Sequence, residues 1–219
     1  RLSSFSASLI HDTRDDKVDA SAGHYLSVNT QLAGQHIGSG FGFTKSTFIA
    51  QIFRTVPHTN RIVFAGQAQV GLASGFTTVT TNGQTASDQL PASERFFAGG
   101  DTTVRGFALD QLGVRHVPPQ LNDTIDPNGF PLGGNGLVVF NAEMRAPLWR
   151  GLGAVGFVDT GNVFQRATDI SLNELRSAVG TGLRYKSPVG PIRVDLGFKV
   201  NRQPGESLTA FFISFGQAF

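Results

Sequence analysis

Polar and apolar residues alternate with a period of two through most of the chain. From Pro191 to Val200, one face carries Ile192, Val194, Leu196, Phe198 and Val200, and the other Arg193, Asp195, Gly197 and Lys199. That is the period of a β-strand, whose successive side chains point to opposite sides. Leu137 to Leu148 repeats it, with Val138, Phe140, Ala142, Met144, Ala146 and Leu148 opposite Asn141, Glu143 and Arg145. Ser177 to Lys186 does the same, and the final segment sets Phe211, Ile213, Phe215 and Phe219 on one face. Between Ala154 and Val163, Phe157 and Asp159 share a face. Segments around Phe5, Leu26 and Phe64 alternate less cleanly, and the mixed faces of Gly40 to Arg54 predict one long strand with a bulge. The pattern gives about nine strands, most of them near the roughly nine to eleven residues that cross a bilayer at a tilt.

One apolar and one polar face suit two architectures. In a soluble sandwich the apolar rows meet a core; in a membrane barrel they meet lipid and the polar rows line a wet lumen. The connections favour the barrel. Ser187 to Gly190 and Arg150-Gly151 are tight turns, whereas 76–136 and 161–176 are long, and bacterial outer-membrane barrels segregate short turns from long loops in this way. The longest connection shows no sustained period. Its centre, ERFFAGGDTTVRGF from Glu94 to Phe107, pairs aromatic residues with Gly-Gly and Arg-Gly turns, which predicts a loop that folds back and docks.

Composition narrows the classes. The 219 residues include 27 glycines and 19 phenylalanines, suited to many turns and to apolar strand faces. Mean hydropathy is −0.04, the near-zero value that alternating strands leave, and no apolar run is long enough for a transmembrane helix. With no cysteine, neither disulfides nor Cys-based metal sites arise. Lysine and arginine total 18 against 16 acids with no basic run, which argues against nucleic acid as a partner. The opening RLSSFSASL lacks a signal-peptide pattern and reads as a mature or truncated piece.

Candidate chemistry is sparse. Asp12, Asp15 and Asp16 suggest a calcium loop, but the glycine and distal glutamate of an EF-hand are missing, so a solvated turn is expected. His11, His24, His36, His58 and His116 form no metal-ligand spacing, and no nucleophile, Walker or dinucleotide motif occurs. No catalytic residue, cofactor or metal is expected. Tyr25 and Tyr185 are placed near the membrane interface. Arg184, Lys186, Arg193 and Lys199 against Asp195 predict a mildly positive, solvated lumen.

Four features together resemble the BamA, TamA and FhaC superfamily of outer-membrane assembly and secretion barrels. They are Val104-Arg105-Gly106-Phe107 in the long loop, Phe157-Val158-Asp159-Thr160-Gly161 on a later strand, Ser187-Pro188-Val189-Gly190-Pro191-Ile192-Arg193 at a turn, and the terminal aromatic Phe219. The resemblance covers Glu94 to Phe219. It implies an all-β fold, a transmembrane antiparallel β-barrel with a long extracellular loop, about 76–136, docked in the lumen. Residues 1–219 would form the C-terminal portion of one such domain, about nine strands of a barrel of about sixteen. The N-terminal strands and the periplasmic POTRA domains would be absent from it.

The same resemblance implies that Arg105 enters the lumen and meets Asp159 and Glu143, with Gly106 allowing a close approach and Phe107 and Phe96-Phe97 anchoring the loop. It implies Phe157 and Gly161 as a structural motif of the wall, and Phe215 and Phe219 as part of a C-terminal assembly signal. The implied function is an insertase-type assembly factor in the bacterial outer membrane, working by seam opening and bilayer thinning without chemical catalysis. Its expected partners are the lipid bilayer, client outer-membrane proteins, and another copy or the missing strands. The alternatives are a two-partner secretion pore, a membrane anchor for a passenger domain, or, from another class, a soluble β-sandwich.

Overall fold

The computed structural model describes residues 2–34, 38–59, 62–76, 79–81, 84–86, 90–116, 118–188 and 190–219, with backbone alone at 79–81 and 84–86. His36 and Val189 lie outside the described residues. Among the described residues, nine strands form one antiparallel sheet: β1 (Ser4–Asp12), β2 (Gly23–Ala33), β3 (Phe43–Thr55), β4 (Val63–Gly75), β7 (Gly136–Trp149), β8 (Leu152–Phe164), β9 (Arg176–Ser187), β10 (Gly190–Lys199) and β11 (Thr209–Phe215). Each pairs with its sequence neighbours, so β1 and β11 are the two edges. A small separate hairpin, β5 (Val79–Thr81) and β6 (Gln84–Ala86), lies within the long connection.

The faces decide between the two architectures. On β10 the charged row is buried and the apolar row is the more exposed one: Arg193 is 1% and Asp195 0% exposed. On β11, Phe211 is 59% and Ile213 66% exposed. Leu183, Tyr185, Met144 and Phe64 are likewise exposed, while Arg184, Glu143 and Asp159 are buried. A water-soluble sandwich would reverse this arrangement, whereas a wall with lipid outside and a polar interior requires it. The sheet is the wall of a transmembrane β-barrel, and its first turn reaches the segment that follows β11. Gln217, beyond β11, donates to Asp19 in the first turn at 2.8 Å, and Lys186 pairs with Asp19 at 2.7 Å.

Residues 34–42, 76–135, 165–175 and 200–208 connect strands at one end of the wall, and 13–22, 56–62, 150–151 and 188–189 at the other. Several details differ from the periodicity reading. Gly161–Val163 belong to β8, so the later long connection begins after Phe164. β3 pairs in continuous register with both neighbours and has no bulge. Its mixed faces have another cause: Phe43 and Phe53 point inward because the lumen holds apolar occupants, the docked loop and the segment after β11. A register shift does occur in the β7–β8 pair, between Pro147 and Trp149.

Phe219 does not share the outward face of Phe215. β11 ends at Phe215, Gly216 takes φ +85°, and the chain turns inward. Phe219 then packs against Phe53, ring centroids 6.4 Å apart, with the Arg145 guanidinium 5.6 Å from its ring. Glycine suits that corner because positive φ strains other residues.

Candidate functional site: a loop clasped inside the wall

The long connection enters the lumen and builds its own core there. Leu90, Phe96, Ala98, Val104, Phe107 and Leu112 cluster with Ala33 and Phe43 from one side of the wall and with Leu137, Val139, Val163 and Ala178 from the other. Backbone bridges brace the loop, with Phe96 and Gly134 exchanging hydrogen bonds at 2.8 and 3.0 Å and Leu112 donating to Ala98 at 2.9 Å. Phe96 lies over Gly71, where any Cβ would collide with its ring. Of the expected aromatic pair, Phe96 is buried in the wall, whereas Phe97 packs on Gly133 within the loop itself.

At the tip, Arg105 is 0% exposed. Its Nε and Nη2 donate to the two oxygens of Asp159, both at 2.7 Å, and its own backbone N–H donates to Asp159 Oδ2 at 3.0 Å. Nη1 donates to Glu143 Oε1. The guanidinium carbon sits 3.7 Å from the ring centroid of Phe157. Asp159 and Phe157 face inward from β8, Glu143 from the neighbouring β7, and register sets Glu143 beside Phe157. A planar fork that meets two carboxylates and stacks on an aromatic face uses what distinguishes arginine from lysine.

The rest of the expected constellation converges on the same place. Val104 is buried in the loop core, and Gly106 presses against Ala178 and Lys199, with no room for a side chain. Phe107 lies between Arg176 and Lys199, whose charged groups are 4.6 and 5.0 Å from its ring centroid. Gly161 backs onto Val138 and Val139 of β7, and a Cβ would intrude on that strand. Three residues of the Phe157-Val158-Asp159-Thr160-Gly161 motif thus act on the clasp in different ways. Phe157 stacks, Asp159 binds and Gly161 lets the strands close.

Further residues join the clasp that the motifs do not include. Asn141 donates to Asp159 Oδ1 at 2.8 Å and to the Thr103 carbonyl at 2.5 Å. Arg145 donates to Glu143 Oε2 at 2.8 Å, and Arg184 to Asp195 Oδ1 at 2.6 Å. Arg193 pairs with Asp101 of the loop at 2.6 Å. The inward arginines are thus buried and paired with carboxylates rather than solvated, in places two to one: Glu143 serves Arg105 and Arg145, and Asp195 lies between Arg184 and Arg193, while Lys199 bonds to Ser207, so the expected excess of basic groups remains. Alternation sets Asn141, Arg145, Arg184, Arg193 and Asp195 on the polar face; it carries no signal for which loop residue they meet. The mould is made by small residues. Gly180 lies under the Phe157 ring, Gly182 under the Asp195 carboxylate and Gly197 under the Arg105 carbonyl.

Away from the clasp, the aspartates of the first turn are occupied by protein. Asp15 accepts hydrogen bonds from the Ser21 and Ala22 amides at 2.9 and 3.0 Å and from the Ser21 hydroxyl at 2.5 Å, Asp16 accepts from Val18 at 2.7 Å, and Asp12 pairs with Arg14 at 2.9 Å. The His11 and His24 rings lie with their centroids 5.1 Å apart, tilted by 37°. Among the described residues no group of three or more metal-ligating side chains gathers. Tyr185 projects outward, but Tyr25 lies on the inner side under Arg14, 4.7 Å from its guanidinium carbon.

Comparison with known proteins agrees with this architecture. The BamA outer membrane protein assembly factor of Nitratidesulfovibrio vulgaris is 28% identical over 217 residues, 95% of this chain and 24% of the relative. The BamA of Neisseria meningitidis serogroup B is 24% identical, with 90% of this chain and 26% of the relative covered. A SAM50-like protein of Drosophila melanogaster is 28% identical over 82% of this chain and 36% of its own length. The crystal structure of Haemophilus ducreyi BamA lacking POTRA domains 1–3 superposes with a TM-score of 0.73 at 18% identity, covering 98% of this chain and 42% of that one. The chain therefore spans about a quarter to a third of the length of these curated relatives. The model of the Omp85 superfamily domain matches residues 1–219, and the chain belongs to that superfamily.

Proposed function

We propose that the protein is the C-terminal wall and loop clasp of a bacterial outer-membrane protein assembly factor, acting on client barrel proteins without a chemical step. The observation that carries this reading is the docked loop: Arg105, held by Asp159 and Glu143 and stacked on Phe157, fixes a large apolar plug inside a lipid-facing wall. Such a clasp holds the wall in one shape, and function then depends on how the wall and its edges meet lipid and client. The names borne by the relatives support an assembly role. The two edges support a second component of the reading. β1 and β11 present unpaired backbone groups, each costly by several kcal/mol in hydrocarbon, so another copy or further strands of the parent protein complete the barrel.

Replacing Arg105 with Ala in the full-length protein tests the role. Client assembly falls while the variant stays membrane-embedded; undiminished assembly would remove the clasp from the mechanism. The competing reading, a secretion pore or a passenger anchor, requires substantial single-channel conductance or an exported partner that co-purifies. The apolar plug in the lumen disfavours an open pore.

A further inference from the structure

We infer that Asp101 is a positioning residue that ties the docked loop to the edge strand β11, so that order in this edge depends on loop docking. Asp101 lies in the Gly-Gly-Asp stretch just before the Arg105 tip, and its Oδ2 accepts two hydrogen bonds. One comes from Arg193 Nη2 on β10 at 2.6 Å and the other from the Ser214 hydroxyl on β11 at 2.5 Å. Its backbone carbonyl accepts a third from Arg193 Nη1 at 2.8 Å. Arg193 is almost fully buried, and its Nε has no partner among the described residues, so Asp101 supplies the acceptors for its two terminal nitrogens.

The placement gives this contact its consequence. β11 is short, Thr209–Phe215, and among the described residues of this chain it is hydrogen-bonded to a neighbouring strand on one side only. An edge strand paired on one side opens more readily than an interior one. Ser214 faces the lumen, because Phe211, Ile213 and Phe215 occupy the outward row. One carboxylate therefore bridges the loop, the penultimate strand and the last strand at once. The Arg105 clasp reaches as far as β10 but not β11: Glu143 and Asp159 belong to the interior strands β7 and β8, and Asp195 of β10 lies 4.0 Å from Arg105 Nη1. The loop is held at two points: one fixes its tip against the middle of the wall, and the other transmits that position to the edge.

This coupling deepens the clasp reading and rests on it for any consequence in assembly, yet it can be measured without an assembly assay. The experiment is amide hydrogen exchange on the full-length protein in lipid nanodiscs. Ser214→Val and Asp101→Asn each speed exchange at residues 209–215 by about tenfold, the loss expected of one charge-assisted hydrogen bond, while β7 and β8 are unchanged in the Ser214 variant. Ser214→Thr, with the same shape as Val but a hydroxyl, restores slow exchange. Combining Ser214→Val with Asp101→Asn gives no more than the larger single effect. Unchanged exchange in β11, failure of Thr to rescue, or additive effects would overturn the link. If the link fails while Arg105→Ala still abolishes assembly, the clasp reading stands without it. If exchange behaves as stated but Arg105→Ala assembles clients normally, the link stands and the assembly role falls.

Discussion

Gly197 of β10 lies directly beneath the carbonyl of Arg105, so close that a Cβ on the glycine would overlap the carbonyl oxygen. The loop tip is seated on bare backbone, and the wall's glycines are as much a part of the clasp as its charges. The backbone of residue 105 cannot shift upward without drawing the guanidinium away from Asp159, to which both its amide and its side chain donate.

Gly197→Ala should therefore unseat the tip. Overpacking of this kind costs about 1–3 kcal/mol, enough to raise the undocked population of the loop severalfold or more. Limited proteolysis of the protein in membranes would show new cleavage between 94 and 107, with the β-sheet signal in circular dichroism retained. Gly156→Ala is the matching control, because nothing lies within 4 Å of a Cβ at that outward position. Equal protease resistance in both variants would contradict the seat.

Arg105→Lys should behave much like Arg105→Ala. An ammonium cannot reach both Asp159 oxygens and Glu143 together, nor lie flat on Phe157. Removing one side of a buried pair costs about 3–5 kcal/mol, less where water enters the lumen. A double-mutant cycle of Arg105→Ala with Asp159→Ala, read from the heat-induced unfolding midpoint in detergent, should give a coupling of about 1–3 kcal/mol. Additive effects would mean that the two residues do not stabilise the barrel through each other.

How far the sequence foretells this site can be judged residue by residue. Alternation correctly puts Glu143 and Asp159 on the polar face, because a strand's period is a local property. It cannot distinguish lipid from a protein core as the neighbour of Ile192 and Leu196; that needs the exposure of the apolar row beside the burial of Arg193 and Asp195. Pairings across great sequence distance are also illegible. Asp101 and Ser214 are 113 residues apart, and Gln217 and Asp19 are 198 apart. The mixed faces of β3 imitate a bulge since period-two analysis assumes a wet lumen, and Phe43 and Phe53 instead serve apolar guests. Phe219 departs from its expected face because alternation carries past the end of a strand on paper, whereas Gly216 breaks it in the chain.

The first turn makes a pH prediction outside the membrane-spanning segments. The Ser21 hydroxyl and the Ala22, Ser21 and Asp16 amides hold the Asp15 carboxyl down to about 2 from an ordinary 3.8. Its folded value is lowered, so its contribution to turn stability is present above the ordinary value and is lost as pH falls through about 2. Carbon-detected NMR of the Asp15 carboxyl should show a midpoint well below that of an ordinary aspartate. Asp15→Asn should loosen residues 13–22 at neutral pH, with little effect on the rest of the wall. A midpoint near 4 would mean that these bonds do not persist in solution.

Phe215 and Phe219 resemble each other in sequence but have different surroundings, and the difference can be measured. Phe215 is among the most exposed side chains, facing lipid, so truncation removes contacts that detergent or lipid supplied equally in the unfolded chain. Phe219 is turned inward against Phe53 and Arg145, with Ala218 buried beside it. Full burial of a phenylalanine contributes about 1.5–3 kcal/mol, and a partly covered ring less. Phe219→Ala should then lower stability by about 1–2 kcal/mol and release Gln217 from Asp19, while Phe215→Ala changes the thermal midpoint little. The release has its own readout: the Asp19–Gln217 bond joins the first turn to the segment after β11, so loosening should extend to exchange at residues 13–22. Were both aromatics on the outer face, as strict alternation predicts, the two truncations would behave alike and neither would disturb the first turn.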